Sequence, residues 1–230
     1  MLKLLILGGN SDIGIKLLNK LLDTKSFAIH IHYNKTFPIE KYKQPKLKFI
    51  KVDLSNIKKQ DIRKQFDSNY DIIINLVGYV SKQTFLNFDI IELQKTLMIN
   101  SIIPFIIIRN SLNNMIKKNY GRIINTSSVG VKFGGGNSTF AYSLSKHINE
   151  FIPTYIRKLC SKNILYNTLR IGVTDTKLHS KIMNKSLKKR IKLIPMKKMA
   201  KADDIAEYIF YLIIRNNVVT NEVINITSGE

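Results

Sequence analysis

The sequence predicts a doubly wound α/β fold, a parallel sheet of about seven strands with helices on both faces. Two observations predict it. Short apolar runs alternate with helical patterns along the 230 residues, and parallel strands need crossovers that are usually helical. The first run, Leu4-Leu-Ile-Leu7, breaks at once into Gly8-Gly-Asn-Ser-Asp-Ile-Gly14 and then into Ile15, Leu17, Leu18, Leu21 and Leu22 at helical spacing. Strand, glycine turn and helix in that order bring backbone N–H groups to a helix N-terminus, where a pyrophosphate can be met. Gly8 allows the tight turn, and Gly14 allows close approach of helix to strand.

Strands are expected near residues 2–7, 27–32, 48–52, 71–77, 121–127, 164–171 and 223–226, with helices between them. The second is Phe27-Ala-Ile-His-Ile-His32, which runs into the polar Tyr33-Asn-Lys-Thr36. The third leads through Phe49-Ile-Lys-Val52 to Asp53 and Leu54, and the fifth is the apolar start of Gly121-Arg-Ile-Ile-Asn-Thr-Ser-Ser-Val129. A long helix, apolar on more than one face, is expected from Tyr142 through Phe151 and Ile156. No Pro/Gly/Ser-rich linker, low-complexity tract or internal repeat divides the chain, so residues 1–230 read as one domain with a sizeable core. Ligands of such sheets bind at the carboxyl ends of the strands, where Gly8, Asp53, Asn75, Ser128 and Ile171 all fall.

The most chemically pointed segment is Tyr142-Ser-Leu-Ser-Lys146. Residues four apart share a helix face, so an ammonium can sit beside a phenol and favour its ionised form. That makes a proton donor and acceptor from a side chain whose ordinary pKa is about 10.

Together these residues resemble the short-chain dehydrogenase/reductase family, along essentially the whole chain. The family's Thr-Gly-x-x-x-Gly-x-Gly is similar to Leu7 to Gly14, with Leu7 and Asp12 as departures. The resemblance implies a Rossmann-type fold, with Gly8, Asn10, Ser11, Asp12, Ile13 and Gly14 at the pyrophosphate. It puts Asp53 and Leu54 at the adenine. Asn75 and Gly78 keep the first and last residues of the family's Asn-Asn-Ala-Gly. Asn100, Ser128, Tyr142 and Lys146 match a catalytic tetrad. Ile171-Gly-Val-Thr-Asp-Thr176 matches Pro-Gly-x-x-x-Thr without its proline, and gives Gly172, Thr174 and Thr176 to the nicotinamide end.

The activity implied is hydride transfer between a nicotinamide cofactor and a carbonyl or alcohol substrate, most simply ketone reduction; 3-oxoacyl-carrier and sugar-type substrates both fit. Tyr142 would donate the proton and Ser128 hydrogen-bond the same oxygen. Lys146 would hold the nicotinamide ribose and lower the pKa of Tyr142, and Asn100 would hold a water linking Lys146 to solvent. Ser128 stands one residue further from Tyr142 than is common, and Ser127 is adjacent. In relatives an acidic residue ending the second strand selects NAD. Here Asn34 and Lys35 follow Tyr33, and no carboxylate occurs before Glu40, so NADP(H) is favoured, with NAD(H) as the alternative. A homodimer or homotetramer is expected. The rival within the family is a catalytically silent member that senses nucleotide or acts as a scaffold.

The chain has 37 Lys+Arg against 16 Asp+Glu, a formal charge of +21. The lysines are dispersed, and no aromatic interleaving or helix-turn-helix accompanies them, so no nucleic-acid partner is expected. One cluster, Lys177, Lys181, Lys185, Lys188, Lys189, Arg190 and Lys192, falls where relatives cover the substrate. It reads equally as an attractor of anionic substrates and as a solvated helix with Leu178, Ile182 and Leu187 on its apolar face. The runs Asp71 to Val80 and Ser101 to Ile108 are too short to cross a bilayer. With one cysteine, Cys160, and no signal-like segment, the protein reads as cytoplasmic and not bound to a membrane. The four histidines show no metal-ligand spacing, and no metal is expected.

Overall fold

A strand apolar on both sides has no solvated face, and β1 (Leu2–Leu7) shows the consequence. Its Leu5 and Leu7 pack into one core and its Leu4 and Ile6 into another on the opposite side of the sheet. The computed structural model describes residues 1–24, 26–177 and 187–230. The sheet continues with β2 (Phe27–Tyr33), β3 (Leu47–Lys51), β4 (Ile72–Asn75), β5 (Gly121–Ser128) and β6 (Ile164–Ile171). Two short strands follow, β7 (Thr174–Asp175) and β8 (Ala200–Lys201), which pair with each other, and β9 (Glu222–Ile226) completes the main sheet. The order is β3-β2-β1-β4-β5-β6-β9, with every pairing parallel. The seven expected strands are all present, with ends shifted by no more than two residues.

Helix α1 (Asp12–Leu22) lays Leu17, Leu18 and Leu21 on one face of the sheet. It is joined there by Ile205, Ala206 and Ile209 of α8 (Ala202–Ile214). The other face takes α2 (Ile62–Gln65) and α4 (Ile103–Lys118), whose Ile103, Ile107, Leu112 and Met115 are buried. Between β1 and β4 the strand order reverses, and the crevice opens at this switch point.

One expectation is corrected. The helix expected from Tyr142 through Ile156 is two helices, α5 (Phe140–Ile148) and α6 (Thr154–Lys158). Pro153 lacks an N–H and drives the residue before it out of the helical region, so the chain breaks at Asn149. The freed Asn149 carbonyl accepts from Thr168 Oγ1 at 2.9 Å. Conversely, α3 (Ile90–Leu97), a π-helical turn over Met98–Ile102 and α4 join into a single helix, Ile90–Lys118. Its 29 residues and mean hydropathy of 1.5 satisfy the length and composition of a membrane span. A core helix satisfies the same test, and this one lays its α4 side on the sheet. The last described helix before α8 is α7 (Leu187–Leu193), which buries none of its residues. Of the basic cluster, Lys181 and Lys185 lie outside the described residues, as do Leu178 and Ile182.

β2 buries two histidines. His30 is 7% exposed, its Nδ1 lies 2.9 Å from the Tyr70 hydroxyl, and Asp67 stands 3.7 Å away. Burial lowers its pKa to about 4, with Asp67 opposing. Between the ordinary value of about 6.5 and 4 the unfolded chain binds the extra proton, so stability is full above 6.5 and is lost as pH falls. Urea unfolding at pH 7 and pH 5 should lose about 2 kcal/mol through this ring. A His30→Phe variant should show a correspondingly flatter pH dependence.

Candidate active site

The glycine turn is shaped by backbone crowding. Gly8 has φ +72, and a Cβ there would lie 3.0 Å from the Leu76 backbone. At Gly14 a Cβ would meet the Gly9 carbonyl oxygen at 2.6 Å, so the close approach is to the turn itself. Ser11 caps α1 by accepting from Gly14 N–H at 3.1 Å. The first N–H groups of a helix have no partner within it, so those of Asp12 and Ile13 are left to the crevice both residues line. Asn10 Nδ2 donates to the Thr36 carbonyl at 3.2 Å, and Asp12 Oδ2 accepts from Lys177 N–H at 2.7 Å. The turn is thereby tied to both lips of the crevice.

That crevice has a volume of about 1080 Å³. It runs from the turn, with Gly8, Asn10, Ser11, Asp12 and Ile13, past Asn34, Asp53 and Leu54 on one side. On the other it passes Gly78, Ser128, Tyr142, Lys146, Gly172, Thr174 and Thr176. Residues distant in sequence therefore converge on one space. Asp53 accepts from Ser55 N–H and Oγ at 2.9 and 2.8 Å, which hold its carboxyl below the usual range.

Four candidates do not line it. Gly14 is buried beneath the turn, and Lys35 is exposed outside. Asn75 is fully buried, its Nδ2 donating to Asn125 Oδ1 at 2.7 Å and its Oδ1 accepting from Val77 N–H at 3.1 Å. Asn100 sits in the π-helical turn, equally buried. Its amide donates to the Tyr79 carbonyl and Ser145 Oγ, both at 2.9 Å, and accepts from Tyr79 N–H at 2.7 Å. Lining residues that the motifs did not flag include His32, Lys16, Lys41, Tyr42 and Thr126.

At the deep end Tyr142 and Ser128 line the crevice together, and burial pushes the phenol up to about 12, with Ser128 opposing. Lys146 is 2% exposed. Its Nζ donates to the Val77 carbonyl at 2.7 Å, the Thr126 carbonyl at 3.2 Å and Thr126 Oγ1 at 3.3 Å. Burial lowers its pKa to about 7, and Nζ lies 5.8 Å from the Tyr142 ring centroid. The expectation that Lys146 lowers the pKa of Tyr142 is therefore corrected: burial dominates, and the ammonium is spent on carbonyls. Asn149, unremarked in the sequence, is fully buried and donates from Nδ2 to the carbonyls of Asn100 at 3.1 Å and Thr126 at 3.0 Å.

The adjacent serines point to different partners. Ser127 Oγ donates to Glu150 Oε1 at 2.7 Å, and Arg170 holds both oxygens of the same carboxylate at 2.7 Å. Ser128 Oγ accepts from Gly130 N–H at 3.2 Å, and both serines line the crevice with Tyr142.

The crowded glycines, the helix N-terminus at the crevice and the crevice's length fit a dinucleotide. Residues 52–229 match a family model described as enoyl-(acyl carrier protein) reductase. The chain is similar to the 3-oxoacyl-(acyl-carrier-protein) reductase FabG of Aquifex aeolicus, with 27% identity over 187 residues, covering 77% of this chain and 75% of the relative. A short-chain dehydrogenase family protein from Francisella tularensis has 25% identity and a TM-score of 0.84, covering 100% of this chain and 98% of that one. The structure titled ElxO with NADP bound has 21% identity and a TM-score of 0.82, covering 99% and 98%. The chain belongs to the short-chain dehydrogenase/reductase family of oxidoreductases.

Removing the Ser127 hydroxyl leaves Glu150 still held by Arg170. Ser127→Ala should cost about 1 kcal/mol in urea unfolding and leave cofactor binding, followed by fluorescence, close to the wild type.

Proposed function

We propose that this chain reduces a ketone with NADP(H), using Tyr142 as the proton donor. The observation that carries the reading is that Ser128, Tyr142 and Lys146 line one crevice with the glycine turn. When bound, a nicotinamide dinucleotide supplies the hydride for the carbonyl carbon. Ser128 and Tyr142 orient the substrate oxygen, and Tyr142 donates its proton as charge develops there. A phenol pushed up to about 12 is protonated at neutral pH and so carries the proton that reduction requires. Lys146, lowered to about 7 and held by Val77 and Thr126, is poised to pass a proton near neutrality. Asn100 builds this end by fixing Tyr79 and Ser145 rather than by touching the ligand.

For the cofactor, Asn34 and Thr36 line the end of the crevice beside β2, and Lys16 and Lys41 line the same space. The acidic residues lining the crevice, Asp12 and Asp53, are engaged by Lys177 N–H and by Ser55. This supports a 2′-phosphate bound by Lys16 and Lys41, with Lys35 secondary. ElxO, of the same fold, was solved with NADP. Relatives named 3-oxoacyl-(acyl-carrier-protein) reductase and acetoacetyl-CoA reductase, the latter 29% identical over 146 residues, are both named for 3-oxoacyl thioesters, one on a carrier protein and one on CoA. A 3-oxoacyl thioester is accordingly the substrate class we favour. Ile91, Met98, Ile102 and Leu144 leave an exposed apolar surface on α3 to α5, which supports a dimer or tetramer.

Tyr142→Phe should keep NADPH affinity while turnover falls roughly 10²- to 10⁴-fold, the usual share of a positioned acid. Ser128→Ala should lower turnover on the order of 10²-fold. Near-wild-type turnover of Tyr142→Phe on a ketone that the wild type reduces would end the reading. Separately, Lys41→Glu should weaken NADPH roughly ten- to a hundredfold more than NADH; an unchanged ratio in fluorescence titrations would remove Lys41 from the phosphate site.

A further inference from the structure

His32, the sixth residue of β2, is 3% exposed and lines the crevice under the glycine turn. Each ring nitrogen has a partner whose role is fixed. Gly8 N–H can only donate, so Nδ1, 3.2 Å away, accepts. The Val52 carbonyl can only accept, so Nε2, 3.0 Å away, donates. The ring is therefore the neutral tautomer with its proton on Nε2. The His32 backbone carbonyl also accepts from Gly9 N–H at 2.8 Å. One residue thus takes two successive N–H groups of the turn and anchors them to the end of β3, where Asp53 begins. The Phe66 ring, with its centroid 5.6 Å away, closes the other side.

Gly8 is crowded by the Leu76 backbone and held at a positive φ, so small rotations of the turn change where the following N–H groups point. We infer that His32 is a positioning residue for cofactor binding, its neutral ring holding the glycine turn in the shape that offers the Asp12 and Ile13 N–H groups to the cofactor phosphates. A proton on Nδ1 would set donor against donor at Gly8. Burial disfavours that proton and lowers the ring's pKa to about 4, with the Val52 carbonyl and Asp53 opposing.

The inference rests on the crevice being a nicotinamide dinucleotide site, and the experiment separates the two. NADH and NADPH are titrated by fluorescence into the wild type, His32→Leu and His32→Asn at neutral pH, with thermal unfolding measured in parallel. The Leu variant should bind both cofactors more weakly by a common factor, roughly three- to tenfold, the worth of one neutral hydrogen bond. Asn, which returns an acceptor and a donor, should recover most of that loss. In turnover assays the loss should fall on KM for cofactor rather than on kcat. A folded Leu variant binding as tightly as the wild type overturns the role of His32 while leaving the crevice reading intact. A wild type that binds neither cofactor overturns the crevice reading and this inference with it. If the Leu variant does not fold, long-range ¹⁵N–¹H NMR of the wild type reads the tautomer directly. A proton on Nε2 supports the inference, and one on Nδ1, or on both, overturns it.

Discussion

Lys146 is a cation almost cut off from water, and the arrangement that makes this tolerable organises the rest of the site. Desolvating an ammonium costs several kcal/mol unless hydrogen bonds replace its water. The replacements come from the place where β4 and β5 part. Their pairing ends at Ile74 opposite Ile124, and beyond it the carbonyls of Asn75, Val77 and Thr126 have no partner in the ladder. Thr126 Oγ1 donates to Asn75, Lys146 Nζ donates to Val77 and Thr126, and Asn149 Nδ2 donates to Thr126 as well. The strand divergence that opens the crevice thus also makes the carbonyl cage for the lysine. Its position then fixes α5, and with α5 the phenol of Tyr142.

Asn149 shows what this cage demands. Its amide joins the Asn100 carbonyl in the π-helical turn to the Thr126 carbonyl on β5. The break in the helix after Ile148, set by Pro153, lets its own carbonyl serve Thr168 on β6. Three elements are thereby locked around one ammonium.

What could be read from the sequence was local in origin. The glycine turn announced itself because strand, turn and helix are consecutive. Ser128 was read from its motif with Ser127 adjacent; neighbours on a strand face opposite ways, and Ser127 turns to Glu150. Asn75 and Asn100 were legible as motif residues, but their side chains turn into the protein, a direction set by how the backbone ends β4 and bulges in the helix. Lys41 was hidden for a different reason. The segment after β2 folds back, with Phe37 stacked among Tyr33, Tyr42 and Phe49 and with Tyr42 donating to Asn19 of α1, which brings Lys41 over the crevice instead of Lys35. The Tyr42–Asn19 bond crosses 23 residues, and none of these contacts leaves a periodic trace. The helix break was visible as Pro153, yet the apolar residues beyond it argued for continuation.

The reversal of strand order between β1 and β4 has a thermodynamic consequence. The walls of the crevice come from the turn after β1, from α1 and β2, from the segments after β3 and β4, and from β5, α5 and the end of β6, so no partly folded piece of the chain contains a complete site. Lys3 N–H, for example, donates at 2.8 Å to Asp71, 68 residues away beside β4. Whatever fills the crevice therefore binds only the wholly folded chain. By mass action an occupant at a hundred times its Kd adds about 2.7 kcal/mol against global unfolding. Occupancy by a small molecule then becomes a determinant of how long the whole chain survives between unfolding events.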